Sequence, residues 1–226
     1  MKNVLRGFSI FYQAWKAFIE PIATLTGRHV TANSISVLRI FGAPFVVIST
    51  FFGWPMLGFW IFVVSALGDS FDGSVAQARL KLGYQDDPKL GAFIDAFADK
   101  MFWISLTTAL LPLGKYDHVP SLARTVFLTS CIFLLLIEIV LAVIRVSDYQ
   151  HERHLSDTRP HARLIKATGA GKIKFILENI GVGGLIVTQR PHNEWAFYVG
   201  ATALLLAIPF AVRSLREKLR ARRASL

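Results

Sequence analysis

Four aspartates lie within otherwise apolar sequence, and their spacing indicates shared chemistry. Asp69 and Asp72 are three residues apart, and Asp95 and Asp99 are four apart. On a helix, either spacing places both side chains on one face. Carboxylates gathered in this way repel one another unless they share protons or bind cations, and their hard oxygen atoms suit Mg, Mn or Ca. The pattern therefore predicts a divalent metal site where two helices meet.

The elements that must position these aspartates are predicted to be membrane helices. The chain has 226 residues, of which 53% are hydrophobic, and its mean hydropathy of +0.46 is too high for an ordinary soluble domain. We predict an all-α integral membrane protein with a single membrane domain. Residues 1–30 form an N-terminal interfacial amphipathic helix, residues 31–212 form a core of six transmembrane helices, and residues 213–226 form a basic cytoplasmic tail. The predicted spans are 34–52, 54–78, 90–111, 122–144, 173–188 and 194–212.

The positive charge follows the ends of the apolar runs. The net charge is +10, yet Lys and Arg number four in the N-terminal segment, three in 79–89, seven in 145–174 and six from residue 213 onward, against three on the opposite side. This asymmetry predicts that both termini and the aspartates face the cytoplasm, in a bacterial inner (plasma) membrane with its anionic lipids. It argues against nucleic acid as the partner.

Small residues stand beside the aspartates. Gly73 and Ala76 follow Asp72 by one and four residues, and Gly91 precedes Asp95 by four. Because such positions leave the helix backbone nearly bare, a flat, phosphate-bearing ligand can approach it closely. Tight helix packing is the alternative explanation for small residues in a span.

Together these residues resemble the signature of the CDP-alcohol phosphatidyltransferase family. The matching pattern is Asp69-x-x-Asp72-Gly73-x-x-Ala76 followed by Gly91-x-x-x-Asp95-x-x-x-Asp99, and the upstream Asn33, Arg39 and Pro44 are also similar to the family's first span. The chain departs from the family at Gln77, where an Arg is usual, and in a longer connection before Gly91. Arg79 returns to the face of Asp72 after seven residues and could replace the missing Arg at a nucleotide phosphate.

The resemblance implies an enzyme that transfers a phosphatidyl group from CDP-diacylglycerol to an alcohol and releases CMP, in phospholipid biosynthesis. It implies a homodimer and two divalent ions, Mg or Mn, held by Asp69, Asp72, Asp95 and Asp99, with Asp99 also the general base. The residues it assigns to the CDP-lipid are Asn33, Arg39, Gly73, Ala76, Arg79 and Gly91.

A basic set of residues is expected to bind the acceptor. The set comprises Arg145, Arg159, Arg163, Lys172 and Lys174, and the stretch 171–174 resembles one in phosphatidylglycerophosphate synthases. An anionic acceptor would be drawn there, with glycerol 3-phosphate favoured and inositol phosphate or another alcohol as alternatives. Two other functions remain open, a divalent-cation transporter with carboxylates along its ion path and a non-catalytic protein that binds CDP-lipid.

Overall fold

The protein is helical throughout the part that can be described. The computed structural model describes residues 19–84, 87–113, 116, 119–154, 169–189 and 193–223, without the side chains of residues 69–70, 88–89 and 151–154, and these residues contain no strand. We number the helices α1 (residues 19–27), α2 (Ala32–Phe51), α3 (Pro55–Lys81), α4 (Pro88–Leu113), α5 (Ser121–His154), α6 (Gly169–Thr188) and α7 (Glu194–Arg223). The predicted all-α class is confirmed.

Four of these helices are long and apolar enough to cross a membrane, namely α2, α3, α5 over Ser121–Gln150, and α7. Helices α4 and α6 stand where the two other spans are predicted, but they are not among these four, and both carry charged residues such as Lys100 and Glu178. The chain is therefore a membrane protein with four candidate spans by length and composition, and the number six stays a prediction.

Local sequence explains where the helices begin and turn. Thr31 caps α2, and its hydroxyl oxygen accepts a hydrogen bond from the Ser34 amide at 3.2 Å. Gly53, with φ at +80°, makes the tight turn into α3, whose first residue is Pro55. Gly83, with φ at +86°, ends the following turn after α3. These features let α2, α3 and α4 follow one another closely.

The predicted interfacial helix lies mostly in residues 1–18, outside the described residues. Its described end, α1, packs Ile19 and Ala23 against Val75 and Ala78 of α3. The Lys81 ammonium of α3 also pairs with the Glu20 carboxylate on the outside of this contact. The end of the segment is thus docked on α3, while its amphipathic character stays a prediction.

The successive helices alternate in direction, so one end of the bundle collects the starts of α2, α4 and α6 and the ends of α3, α5 and α7. We call it the acidic end, because Asp72, Asp95 and Asp99 lie there. At this end α5 and α7 run beyond the predicted spans, which stop at 144 and 212, to His154 and Arg223. Arg222 of α7 donates a hydrogen bond to the Ser147 hydroxyl of α5 at 2.8 Å. The basic residues up to 223 are therefore a helical extension packed against α5.

Candidate active site

A cavity of about 360 Å³ opens at the acidic end between α2, α3 and α4. Its wall combines carboxylates with small residues, and its lining consists of Ala32, Asn33, Ser36, Asp72, Gly73, Ala76, Leu80, Tyr84, Asp87, Gly91, Ala92 and Asp95. Six of the predicted site residues thus share one cavity: Asn33, Asp72, Gly73, Ala76, Gly91 and Asp95.

Asp72 is held in place from the neighbouring helix. Its carboxylate is buried and accepts a hydrogen bond of 2.6 Å from the Ser36 hydroxyl of α2. A hydrogen bond to an ionised carboxylate is strong, and it stabilises the charged form. The structure therefore fixes one carboxylate oxygen while the residue still lines the cavity.

Asp95 and Asp99 converge on a single cation. The buried guanidinium of Arg39, from α2, forms an ion pair with Asp99 through Nη2, and the same nitrogen lies 3.9 Å from Asp95 Oδ1. The Asp95 side chain is 49% exposed and that of Asp99 is 24% exposed. Both side chains thus keep exposed surface, and Asp95 lines the cavity. Arg39, which the sequence assigned to the CDP-lipid, contacts these carboxylates.

The donor set suits divalent ions such as Mg or Mn. Asp72, Asp95 and Asp99 offer only carboxylate oxygens, and the shared contact with Arg39 shows that two of these side chains point at one location. Asp69 lies one turn before Asp72 in α3, but its side chain is outside the described part. Among the described side chains, no group of three or more His, Cys, Asp or Glu is close enough to form a metal site.

Small residues give a ligand access to the backbone. A side-chain carbon at Gly73 would meet no atom within 4 Å, so the backbone of α3 is open to the cavity there. At Gly91 such a carbon would lie 3.3 Å from the Asn33 amide oxygen, so this glycine and Asn33 face each other across α2 and α4. The glycine at position 73 leaves open space beside its helix, and the glycine at position 91 lets Asn33 come close to its helix.

Arg79 lies outside the cavity lining. Its Nη1 donates a hydrogen bond of 2.9 Å to the Gly27 carbonyl of α1, and its guanidinium carbon lies 4.4 Å from the centre of the Tyr84 ring. Tyr84 itself lines the cavity. The structure therefore connects Arg79 to the predicted ligand site through an aromatic neighbour.

The predicted acceptor-binding residues are divided. Arg145 is half-buried, and the negative charges of Asp99 and Asp95 attract its positive charge. It therefore stands close to the proposed metal ligands. Lys172 is exposed near the start of α6, whereas Lys174 is buried and paired with Glu138 of α5. Arg159 and Arg163 lie outside the described residues.

The predicted site residues leave out three residues that contact one of the carboxylates or pair next to it in the chain. Ser36 contacts Asp72, and Lys100 and Glu138 form a buried ion pair beside Asp99. A lone Glu in the apolar stretch around residue 138 was a usable signal, since a charge there needs a partner. Ser36 gave no such signal, because a serine in a span commonly bonds its own helix.

The sequence of this chain matches one family of known proteins. The family model described as CDP-alcohol phosphatidyltransferase matches residues 29–212. A CDP-diacylglycerol--glycerol-3-phosphate 3-phosphatidyltransferase of Salmonella choleraesuis (strain SC-B67) is 24% identical over 195 residues, which cover 85% of this chain and 94% of that protein. A protein of the same description from Rickettsia bellii (strain RML369-C) is 29% identical over 93 residues, covering 40% and 49%. No solved structure gives a significant match.

Proposed function

The chain belongs to the CDP-alcohol phosphatidyltransferase family, whose model spans residues 29–212, and we propose that it transfers a phosphatidyl group from CDP-diacylglycerol to glycerol 3-phosphate, releasing CMP. The observation that carries this proposal is the cavity at the acidic end. It joins the carboxylates Asp72 and Asp95 to the bare backbone at Gly73 within the span of the family match.

Two divalent ions, Mg or Mn, would be held by Asp69, Asp72, Asp95 and Asp99, whose carboxylate oxygens are ligands of the kind that these ions prefer. When bound, such ions neutralise the charge that develops on the diphosphate during displacement at phosphorus. Ser36 orients Asp72 for this role, and Arg39 keeps Asp95 and Asp99 directed at one point. The fixed hydrogen bonds place the ligands before substrate binds, which lowers the cost of assembling the site.

Asp99 is proposed as the general base. As the acceptor oxygen bonds to phosphorus and the bond to CMP breaks, the hydroxyl proton passes to the Asp99 carboxylate. The diphosphate lies along the cavity beside Gly73, Ala76 and Gly91, with Asn33 next to Gly91. Arg79 contributes to binding of the CDP-lipid through its contact with Tyr84. Arg39 contributes to it through the carboxylates that it contacts.

The acceptor proposal rests on charge near Asp99 and on the relatives. Arg145 stands close to Asp99 and Asp95, and Lys172 is exposed at the same end of the bundle. We assign the binding of the acceptor phosphate to these two residues together with Arg159 and Arg163. Lys174, which is paired with Glu138, adds its positive charge from a buried position behind them. Two matching proteins carry a name that specifies glycerol 3-phosphate, which supports this acceptor over an inositol phosphate.

The membrane arrangement completes the proposal. Six spans, α2 to α7, cross a bacterial inner membrane, and the acidic end faces the cytoplasm. The N-terminal segment up to residue 30 lies in the membrane interface, and the protein is a homodimer. The excess of Lys and Arg near the acidic end supports this orientation. The acyl chains of the donor then stay in the bilayer while its diphosphate reaches the carboxylates.

The test is CMP release by purified protein given CDP-diacylglycerol, Mg or Mn, and a panel of acceptors. We expect CMP only with an acceptor present, fastest with glycerol 3-phosphate, and a loss of about 10²-fold or more in Asp99→Asn. The matched control is Glu217→Gln, which removes a carboxylate of the Arg213 pair on the outside of α7. The proposal fails if the folded protein releases no CMP with any acceptor, and the glycerol 3-phosphate assignment fails if another acceptor reacts faster.

A further inference from the structure

A buried group of four charged side chains joins three helices behind the candidate active site. Its members are Lys100 of α4, Glu138 of α5, and Lys174 and Glu178 of α6, which we call the charge quartet. Lys100 is 8% exposed and the other three are at most 2% exposed. Two ammonium groups face two carboxylates, so the quartet is balanced when all four are charged.

Glu138 is the centre of the quartet. Its Oε2 accepts a hydrogen bond of 2.6 Å from the Lys100 ammonium, and its Oε1 accepts one from the Lys174 ammonium. Lys174 also lies 3.7 Å from Glu178 Oε2, one turn along the same helix. One carboxylate thus fixes α4 and α6 relative to α5, with a separate oxygen for each.

The contact with Lys100 determines how α4 is turned. Consecutive residues of an α-helix point about 100° apart. Because Lys100 is directed into the bundle toward α5, the preceding residue Asp99 and its neighbour on the same face, Asp95, are directed elsewhere. Both point at Arg39 of α2 and the cavity side of the bundle.

Stability alone is a poor reason for such a group. Desolvation of buried charges generally costs as much as their attraction returns, and apolar side chains of similar volume are often as stable or more stable. Directional ion pairs do, however, select one rotation and register of the packed helices. Leu and Met side chains in place of the charged ones would pack without a preferred direction. Helix α4 would then be freer to rotate about its own axis.

We propose that Glu138 is a positioning residue for phosphatidyl transfer, which acts through Lys100 to hold Asp95 and Asp99 toward the cavity. This inference rests on the function proposed above. The mechanism requires Asp99 within reach of the acceptor hydroxyl, and a misplacement of about 1 Å at a reacting group can cost 10²-fold in rate. Glu138 itself is buried in the core and is absent from the cavity lining.

The first test compares Glu138→Gln with wild-type protein. Glutamine has nearly the same shape but loses the charge and replaces one acceptor oxygen with a donor that faces a lysine. We expect kcat for CMP release to fall about 10- to 100-fold, while the KM for CDP-diacylglycerol changes by a smaller factor, because the walls of the cavity that α2 and α3 supply stay in place. The control is Thr107→Val, a nearly isosteric change at a fully buried position of α4.

The second test separates positioning from folding. In Lys100→Met/Glu138→Leu/Lys174→Met/Glu178→Leu, the whole quartet is apolar, so we expect the melting temperature in detergent to equal or exceed that of wild type. We still expect kcat to fall at least about tenfold, because the directional contacts are gone. Wild-type kcat in this variant, or a kcat within about twofold in Glu138→Gln, would overturn the proposal.

The third test needs no activity. In Asp95→Cys, a water-soluble maleimide should label the new thiol, since the Asp95 side chain is half exposed and Cys131 is fully buried. Adding Glu138→Gln should change the labelling rate severalfold as α4 turns. An unchanged rate would show that Glu138 does not set the rotation of α4. If wild-type protein released no CMP, the proposed function would fail, and labelling would still decide whether Glu138 orients position 95.

Discussion

The buried guanidinium of Arg39 in α2 forms an ion pair with the partly exposed Asp99 of α4 across 60 residues of sequence. The pair joins two helices that also approach each other where Gly91 faces Asn33. It also explains how a charged arginine is tolerated within a predicted span, because the carboxylates of Asp99 and Asp95 balance its charge. The guanidinium therefore belongs to the candidate site, although it does not line the cavity.

Removing Arg39 should destabilise the protein. Arg39→Met removes one ion-pair partner of Asp99, and because the Asp99 side chain is partly exposed we expect a loss of about 1–3 kcal/mol in the free energy of unfolding, below the range for a fully buried pair. Arg39→Lys should lose less, since it keeps the charge. The measurement is thermal unfolding in detergent. Arg213→Gln, which breaks an exposed pair with Glu217, should cost less than about 1 kcal/mol. Equal losses of unfolding free energy in Arg39→Met and Arg213→Gln would contradict the structural role of Arg39.

Removal of divalent metal should stop the reaction. After dialysis against EDTA we expect no CMP release, with recovery on addition of Mg or Mn, because the carboxylates then regain the cations that neutralise the diphosphate. Asp72→Asn should raise the Mn concentration needed for half-maximal rate, since one charged ligand is lost. Glu20→Gln, at an exposed pair with Lys81, is the control and should need the wild-type concentration. A full rate after dialysis would refute the metal requirement.

Filling the cavity at Gly73 should weaken substrate binding without unfolding the protein. A side chain at this position meets no atom within 4 Å, so Gly73→Leu can fold normally while occupying space beside Asp72. We expect the KM for CDP-diacylglycerol to rise at least about tenfold, equivalent to about 1.4 kcal/mol of lost binding. Gly68→Leu is the matched control, because Gly68 also has open space around it on α3 and does not line the cavity. A similar KM in both variants would argue against substrate at Gly73.

Gly184 should be the least tolerant glycine of the α6–α7 contact. A side-chain carbon there would lie 2.7 Å from both the Ala196 carbonyl oxygen and the Gly200 Cα atom, and neither backbone atom can move away easily. We expect Gly184→Ala to cost about 1–3 kcal/mol through overpacking. Gly183→Ala should be close to neutral, because its nearest neighbours are ring carbons of Phe59 and Phe62 at 3.5 Å. Thermal unfolding of the two variants side by side checks this, and a larger loss at Gly183 would contradict it.

The positions of the helices were largely predictable, because apolar composition is a local property of the chain. The predicted spans at 34–52 and 54–78 correspond to α2 and α3, with the turn at Gly53 between them. Helices α5 and α7 continue beyond the predicted span ends at 144 and 212 to His154 and Arg223. Apolar composition indicates which residues lie within the thickness of the membrane. Beyond those residues, the hydrogen bond between Arg222 and Ser147 holds the extensions of the two helices together.

The candidate site was predictable where spacing within one helix determines it. Asp72, Gly73 and Ala76 share a face of α3 for geometric reasons, and the structure places all three on one cavity. Lys174 shows the limit of this reasoning. A lysine near the end of a span can face water or a buried carboxylate, and only the neighbouring helix decides which.

The sequence by itself determined the helical class, the membrane character and the carboxylate pairs, because each depends on residues close together in the chain. Only the tertiary structure decided that Arg39 faces Asp99, that Ser36 holds Asp72 and that Glu138 joins Lys100 to Lys174. The physical reason is that a membrane helix is apolar on most of its surface, so its sequence does not show which face meets which neighbour. The rotation of each helix, and with it the partner of each buried charge, is set when the bundle packs.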